Sequence, residues 1–214
     1  MLGNLDTNFA HIGISGFGNS SILSGRPYGG CAILWRSDLS AQVQVFHTKS
    51  TRVCAVRLIT DICRLLLICV YMPYVSMSED FADQLAMIDS VIQNNSDCHF
   101  VVAGDYDVNL SRNSVHTAML CSYCDNAGLT PVVKHINANI DYTYHFGMWR
   151  FSVLDHFLLS GTLFGNAVSS VSVVHDIDIT SDHEPVVMNL SLQMRFLACA
   201  DRVHKPGIKQ ALAT

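Results

Sequence analysis

Cys98–Asp107, the stretch CHFVVAGDYD, runs from apolar residues through a glycine into two carboxylates. A short apolar run of this kind predicts a buried strand over Cys98–Ala103, which we expect to stop at Gly104. A glycine lets the backbone turn tightly where it leaves a strand. Asp105 and Asp107 then project from one loop, where they are either the solvated acids of an ordinary turn or part of a site.

Further polar groups follow or interrupt apolar runs elsewhere in the chain. Tyr71 closes the run RLLLICVY, Asp155 lies within FSVLDHFLLS, and the pair Asp182 and His183 precedes an apolar run in SDHEPVVM. Burying an ionised carboxylate such as Asp155 costs several kcal/mol unless it is paired or binds a metal. Each group also has an ordinary explanation: a phenol that caps the core, an acid at a strand edge or in an ion pair, and a polar turn.

Taken together, these groups place carboxylates, an imidazole and a phenol at the ends of apolar strands. Hard oxygen ligands hold Mg²⁺, and a histidine transfers protons near neutral pH. The sequence therefore predicts a site for a divalent metal and a phosphate, provided that these strand ends meet.

Apolar runs rich in β-branched residues predict the other strands. Arg52–Thr60 and Arg64–Tyr71 are typical of a hairpin whose strands are buried on both faces. Further strands are expected at Arg150–Leu159, Val171–His175 and Pro185–Leu192.

Two helices are predicted between these strands. One begins with Ser78 as its N-cap and ends near Asn94–Asn95, and the other covers Ser114–Asn126 and is closed by a glycine. Strands and helices mix without strict βαβ alternation, which favours an α/β (α+β) fold of packed sheets with helices outside. We expect one domain over residues 1–192, followed by a tail over 193–214.

Composition and charge argue against a secreted protein, a membrane protein and a strongly basic nucleic-acid binder. The 214-residue chain is 50% hydrophobic, has a net charge of −5 and contains eight cysteines. It shows no signal peptide and no apolar window as long as a membrane span, so we expect a nuclear or cytoplasmic protein without a membrane partner. The charge gives no basic footprint of the kind that marks many nucleic-acid binders. The scattered cysteines indicate buried thiols, and the CxxC pair Cys121 and Cys124 lacks a second pair at zinc spacing.

Several motifs follow one another in a recognisable order: VYMP (Val70–Pro73), GDYDVNL (Gly104–Leu110), FSVLDHFLLS (Phe151–Ser160) and SDHEPVVM (Ser181–Met188). This order resembles the endonuclease/exonuclease/phosphatase superfamily, whose usual pattern is Tyr-x-Pro, Gly-Asp-Phe-Asn, a strand carrying Asp, and Ser-Asp-His. The segment SGRPYGGCAILWRSDL (Ser24–Leu39) is similar to endonuclease domains of LINE-type retrotransposons. The resemblance covers about residues 1–192.

The resemblance implies a two-sheet β-sandwich flanked by helices in four layers, and cleavage of a phosphate ester that depends on Mg²⁺, with Mn²⁺ as a substitute. A retrotransposon origin implies DNA as the ancestral substrate. On the metal side of the site, Asp105 would position the attacking water, Asp155 would lie close to the metal, and Asp182 would lie near the metal and orient His183.

On the substrate side, the resemblance implies that His183 contacts the scissile phosphate or transfers a proton, and that Tyr71 reaches the phosphate. Thr143, in DYTYHFG, matches a polar position of the family. Asp107 stands where the family has an asparagine that touches the phosphate or holds the water. An amide can donate to a phosphate oxygen, whereas an ionised carboxylate only accepts and repels it; alternatively, Asp107 recruits metal.

The sequence departs from the family pattern near its start. The family begins with a strand that carries Asn and a strand that ends in Gln-Glu, whose Glu is a main metal ligand. Glu79 and Glu184 are the only glutamates of this sequence, and Asp6 is the only acid before Asp38. We therefore expect the domain to lack its first strands, to bind Mg²⁺ weakly and to have reduced or no activity.

Three hypotheses stay open on the sequence alone. The first is a Mg²⁺-dependent nuclease-like enzyme. The second is a catalytically dead retroelement remnant or a non-catalytic binding fragment. The third is a phosphatase of the same superfamily that acts on a lipid or inositol phosphate, and the GRPYGG segment favours a retroelement origin over it.

Overall fold

The computed structural model describes residues 7–16, 30–74, 76–135, 138–147, 150–176, 178 and 180–192. The expected tail over 193–214 lies outside these residues, as do residues 24–29 of the segment that is similar to LINE-type endonucleases. The assignment of one domain to residues 1–192 stays a prediction.

Strands are the commonest regular element of the described chain, and many of them are rich in the β-branched and apolar residues that fit a pleated, buried surface. The strands are β1 (Phe9–Ser15), β2 (Gly30–Arg36), β3 (Gln42–Phe46), β4 (Val53–Ile59), β5 (Arg64–Tyr71), β6 (His99–Asp105), β7 (Leu129–Pro131), β8 (Ala138–Asn139), β9 (Tyr144–Phe146), β10 (Arg150–Ser152), β11 (Asp155–Ser160), β12 (Val168–Val173) and β13 (Val186–Leu190).

The helices are α1 (Ser78–Gln93), α2 (Val115–Ala127) and α3 (Gly161–Asn166). Helix α1 buries an apolar stripe at helical spacing, from Phe81 to Ile92. Helix α2 begins at Ser114, whose side chain accepts a hydrogen bond from the backbone of Thr117, and ends at Gly128 in the left-handed conformation. None of the described helices is long and apolar enough to cross a bilayer.

A six-stranded sheet, which we call the central sheet, has the order β3-β4-β5-β6-β11-β7. Strands β3, β4 and β5 are antiparallel neighbours in sequence order. Strand β6 then pairs parallel to β5, because α1 carries the chain back to the starting edge of the sheet. Strand β11 pairs antiparallel to β6, so the ends of β5 and β6 and the start of β11 share one edge of the sheet.

A second layer covers one face of the central sheet. It contains the three-stranded sheet β13-β12-β8 and the antiparallel hairpin β1-β2. The three-stranded sheet and α3 share a core with Leu65, Val101 and Leu159 of the central sheet, and β2 packs against β4 and β5. Helices α1 and α2 cover the opposite face, where Leu66, Phe100 and the apolar stripe of α1 form the larger core.

The predicted fold class is confirmed: the chain forms a mixed α/β structure with two packed sheets and helices outside. The hairpin of β4 and β5 and the helix α2 also agree with the sequence. Strands β1, β2 and β3 were not predicted, because their half-exposed residues give no sustained apolar run.

Three sequence expectations need correction. Ser78 is the first residue of α1 and not its N-cap, which is Met77; the Ser78 hydroxyl instead lies 3.2 Å from Nε2 of His116. The strand expected over Arg150–Leu159 is divided into β10 and β11. The strand expected to stop at Gly104 continues to Asp105, because β6 remains paired on both sides up to that residue.

At Gly104, β6 lies too close to Val70 of β5 to leave room for a side chain. The φ of Gly104 is +146°, a conformation that L side chains rarely adopt, and a Cβ at this position would overlap the carbonyl oxygen of Val70 on β5. The glycine therefore allows β6 to lie close to β5 immediately before Asp105, whereas the sequence led us to expect a tight turn here.

Replacing this glycine is expected to destabilise the fold strongly. Gly104→Ala combines an unfavourable φ with a backbone overlap, and should lower the free energy of unfolding by about 3 kcal/mol or more. Urea denaturation measures this loss. The control Gly165→Ala adds a Cβ inside α3 where no atom lies within 4 Å, and should be neutral or stabilising by up to about 1 kcal/mol. Equal stability of the Gly104→Ala chain and its parent would contradict the close approach.

Candidate active site

Three of the predicted site residues form one row across the central sheet. In the pairing of β5 with β6, Tyr71 stands opposite Asp105, and in the pairing of β6 with β11, Asp105 stands opposite Asp155. All three residues occupy the last or first position of their strands. The edge at which these strands end therefore brings a phenol and two carboxylates together.

Strand alternation decides the face on which this row lies. Side chains two residues apart share a face of a strand, so Asp105 points to the same side as Ala103 and Asp155 to the same side as Phe157. Both apolar residues pack into the core beneath the second layer. The row therefore faces the layer that carries β13 and the loop before it.

His183 reaches the row from that loop. Residues around it pair with β9: Tyr144 and His183 form an antiparallel bridge. The backbone of His145 donates to the carbonyl of Asp182 at 2.9 Å, and the backbone of Glu184 donates to the carbonyl of Thr143 at 2.8 Å. These main-chain bonds fix the position of the imidazole, which the sequence alone could not place.

The side chains of Asp105, Asp155 and His183 converge on one small volume. Nδ1 of His183 donates to Oδ2 of Asp155 at 2.9 Å, and Nε2 of His183 lies 3.9 Å from Oδ2 of Asp105. One ligand atom from each residue lies within 4.8 Å of the other two. The three groups are thus close enough to bind one ion or one phosphate oxygen together.

Electrostatic coupling changes the proton affinity of this cluster. Burial, and then the negative charge of Asp155, raise the pKa of Asp105 from 3.8 to about 6. The hydrogen bond with Asp155 raises the pKa of His183 above its ordinary value. Perturbed carboxylate and imidazole groups in contact are typical of sites that transfer protons.

The loop that follows β6 is held rigidly. The backbone N–H of Asp107 donates to Oδ1 of Asp105 at 2.9 Å, and Asp107 has a φ of 50°. Asp and Asn are the side chains that best tolerate this left-handed conformation. Beneath the loop, the buried ring of His156 donates from Nε2 to the carbonyl of Val108 at 2.7 Å, and burial lowers the pKa of His156.

Thr143 lies beneath the row and is fully buried. Its hydroxyl oxygen accepts hydrogen bonds from the backbone N–H groups of Leu154 and Asp155, at 2.9 and 3.0 Å. These contacts fix the start of β11. They favour a positioning role for Thr143, and the substrate contact that the resemblance implied stays a prediction.

Asp155 is the carboxylate that bonds the imidazole: Nδ1 of His183 donates to Oδ2 of Asp155 at 2.9 Å. Asp155 also belongs to the group of described residues that could share a metal ion. The charge of Asp182 contributes to the raised pKa of His183, and the roles of Asp182 in orienting His183 and in binding metal stay predictions.

Two residues near the site were missed by the sequence reasoning. The guanidinium of Arg52 lies 5.2 Å from the centre of the Tyr71 ring and donates to the carbonyl of Tyr71 at 3.2 Å. His156, next to Asp155, supports the loop after β6 as described above. Arg52 had no local signal, because its proximity to Tyr71 depends on the pairing of β4 with β5. His156 directly follows Asp155 in FSVLDHFLLS, and this position could have directed attention to it.

The donor set fits a divalent cation. Repulsion between Asp105 and Asp155 contributes to the raised pKa of Asp105, and a cation between these carboxylates would offset it. Mg²⁺ commonly binds one or two protein carboxylates together with water and substrate phosphate. Asp105 and Asp155 would hold it, while the imidazole of His183 suits Mn²⁺ better than Mg²⁺ as a direct ligand.

Comparison with known proteins identifies the family and similar folds. The sequence profile described as the Endonuclease/Exonuclease/phosphatase family matches residues 3–183. No curated protein sequence matches the chain significantly. Among solved structures, the endonuclease domain of TRAS1, a telomere-specific non-LTR retrotransposon, is similar with a TM-score of 0.69 at 15% identity, over 87% of this chain and 80% of that one.

Two phosphatases share the fold at similarly low sequence identity. The 3′ phosphatase NExo from Neisseria, solved with a product DNA hairpin, gives a TM-score of 0.61 at 18% identity, over 86% of this chain and 80% of that one. A mannosyl-6-phosphatase from Bacteroides thetaiotaomicron gives 0.58 at 14% identity, over 86% and 78%. The family profile covers most of the chain, including Tyr71, Asp105, Asp155 and His183. The chain therefore belongs to the endonuclease/exonuclease/phosphatase family.

Proposed function

We propose that this chain is a divalent-metal-dependent phosphodiesterase domain that acts on DNA at a reduced rate. The observation that carries the proposal is the convergence of Asp105, Asp155 and His183 within 4.8 Å at one edge of the central sheet. Two carboxylates and an imidazole supply cation binding and proton transfer, which hydrolysis of a phosphate diester requires.

The residues of the cluster have different roles. The carboxylate of Asp105, at the end of β6, can accept a proton from an attacking water. His183, whose pKa is raised by Asp155, is more fully protonated than an ordinary histidine and can donate from Nε2 to a phosphate oxygen. A bound Mg²⁺ or Mn²⁺ would supply charge stabilisation for the phosphate. Tyr71, in register with Asp105, is proposed to contact the phosphate.

Two observations favour DNA as the substrate. The TRAS1 endonuclease domain gives a higher TM-score than either phosphatase, and the Ser24–Leu39 segment is similar to retrotransposon endonucleases. The fold alone does not separate diester from monoester cleavage, because phosphatases share it. A net charge of −5 predicts weak non-specific attraction to DNA.

The reduced rate follows from the groups that the cluster contains. Neither glutamate of the sequence joins it: Glu79 lies in the first turn of α1, and Glu184 lies with its carboxylate 3.9 Å from His145 and 3.8 Å from His175. Asp107 adds an acceptor beside a site that must hold an anionic substrate. Both features weaken binding of the metal–phosphate unit.

Slow, metal-dependent nicking of supercoiled plasmid is the expected activity, visible with excess protein and Mn²⁺ or Mg²⁺. His183→Ala should lower the rate by at least about a hundredfold, because a positioned general acid or base contributes that much. Agarose gels of nicked and supercoiled DNA measure both rates, with chelator added to a parallel sample.

The matched control is His47→Ala, which removes an exposed imidazole in the loop after β3 and should leave the rate unchanged. Nicking by the parent that does not exceed nicking by the His183→Ala chain would contradict the enzyme proposal and favour a non-catalytic DNA-binding copy. Hydrolysis of a small phosphomonoester in place of plasmid nicking would favour the phosphatase.

Asp107→Asn is expected to raise the nicking rate and the affinity for DNA by about 3- to 30-fold, because it replaces a charge repulsion at a few ångströms with a hydrogen-bond donor. The backbone should not change, since Asn tolerates the φ of 50° found at this position. Asp125→Asn, which removes an exposed charge at the end of α2, controls for net charge. Equal rates for Asp107→Asn and Asp125→Asn would show that Asp107 does not face the substrate.

Asp105→Asn should stabilise the metal-free chain at neutral pH. The folded pKa of Asp105 is about 6, above its ordinary 3.8, so the folded chain binds more protons than the unfolded chain between about pH 4 and 6 and loses stability as the pH rises through that window. The substitution removes this loss, which amounts to at most about 3 kcal/mol.

Urea denaturation in chelator on both sides of that window measures the gain. Asp61→Asn, at an exposed turn between β4 and β5, should show no such pH-dependent difference. A variant that is less stable than the parent above about pH 6 would show that the Asp105 carboxylate is not strained by burial and by Asp155.

A further inference from the structure

Three cysteine side chains meet at a second point in the molecule, apart from the candidate active site. The thiol sulfurs of Cys31, Cys54 and Cys69 all lie within 4.8 Å of one another. They come from β2, β4 and β5, so sequence separation gives no hint of their meeting. Each is a free thiol. We call this group the cysteine triad.

Strand register explains the geometry of the triad. Cys54 and Cys69 are direct partners in the antiparallel pairing of β4 with β5. Both point toward the second layer, because the residues beside them on each strand, such as Val53 and Val70, face the larger core under α1 and α2. Cys31 reaches them from β2, which packs on β4 and β5. The triad therefore joins two layers of the fold.

The spacing matches what a metal ion would require. Thiolates that share an ion at 2.3 Å lie about 3.8 to 4.0 Å apart, in tetrahedral or trigonal arrangement. The observed separations, all within 4.8 Å, are compatible with that value. Cys54 is fully buried, while Cys31 and Cys69 are half-buried, so an ion has access to the triad from solvent.

From this geometry, we propose that Cys31, Cys54 and Cys69 form a three-thiolate binding site for a soft cation, Zn²⁺ or Cu⁺. Thiolate ligands select such ions over Mg²⁺, which prefers oxygen. Three thiolates complete a trigonal Cu⁺ site, whereas Zn²⁺ takes a water as its fourth ligand. Binding releases the thiol protons to solvent, and the bound ion fastens β2 to the central sheet.

The electrostatics of the triad agree with cation binding. The three sulfurs lie within 4.8 Å of one another, so three thiolates without a cation between them would repel one another. A cation at the centre removes this repulsion.

The site would lie beside the candidate active site without sharing its ligands. Cys69 is two residues before Tyr71 on β5, and its partner on β6 is Ala103, two residues before Asp105. From strand rise and spacing, the Cα atoms of Cys69 and Asp105 are about 8 Å apart. The two sites differ in donor chemistry, so an experiment can distinguish them.

Cobalt titration of the reduced full-length chain tests the proposal. Co²⁺ bound to thiolates gives a charge-transfer absorption in the near ultraviolet, which the carboxylates and imidazole of the active site do not give. One equivalent should saturate this absorption, and Zn²⁺ or Cu⁺ should abolish it by displacement. The ion that displaces cobalt at the lower concentration identifies the preferred cation. Absence of the absorption would overturn the proposal.

Substitutions assign the absorption to the triad. Cys31→Ser, Cys54→Ala and Cys69→Ser should each weaken Co²⁺ binding by at least about a hundredfold, more than loss of a supporting residue around a metal typically costs. Cys124→Ala, at a buried cysteine of α2, and His183→Ala should retain the absorption. Retention in the triad variants, or loss in these controls, would contradict the site.

A measurement on the unaltered chain covers the case in which a triad variant fails to fold. One equivalent of Zn²⁺ should slow alkylation of Cys31 and Cys69 at least about tenfold, as read by mass spectrometry of the labelled peptides. Cys121 is half-buried on α2 and should react at the same rate with and without the ion. Equal alkylation of all three residues in both samples would overturn the proposal.

Discussion

The register between β6 and β11 is the constraint on which the candidate site depends. It places Asp105 directly opposite Asp155, at a distance where two carboxylates repel each other unless a proton or a cation lies between them. The pair is held in place by the backbone: Gly104 allows the close approach of β5, and Thr143 holds the first residue of β11. The fold therefore holds two carboxylates close together despite their mutual repulsion. His183 offsets part of this repulsion by donating to Asp155, and the remaining negative charge favours binding of a divalent ion.

A large part of this arrangement could be predicted from the sequence. The apolar runs gave the hairpin of β4 and β5, and the capping residues gave α2. Motif order identified Tyr71, Asp105, Asp155 and His183 as members of one site, and the structure brings these residues to one edge of the central sheet. The expectation that these residues meet rested on chain order alone, because each motif in isolation also fits an ordinary turn or core position.

The rest depended on contacts between distant segments. The hydrogen bond of His183 with Asp155 follows from the bridge between Tyr144 and His183, for which neither segment carries a local signal. Thr143 was expected to touch substrate, yet its burial and its bonds to the backbone are visible only once the loop has folded. The expectation of buried thiols in apolar runs holds for Cys54, whereas Cys69 is half-buried. No spacing rule relates Cys31 to a hairpin that begins beyond it.

The central claim is that Asp105, Asp155 and His183 form one coupled site for a divalent cation. Direct binding of Mn²⁺, followed by the loss of the free-ion electron paramagnetic resonance signal, tests it most directly. We expect one Mn²⁺ site with this behaviour, strongly weakened by Asp155→Asn and retained in Asp182→Asn, because Asp155 belongs to the group of described residues that could share an ion and Asp182 does not. Unchanged Mn²⁺ binding in Asp155→Asn, or its loss in Asp182→Asn alone, would contradict the claim.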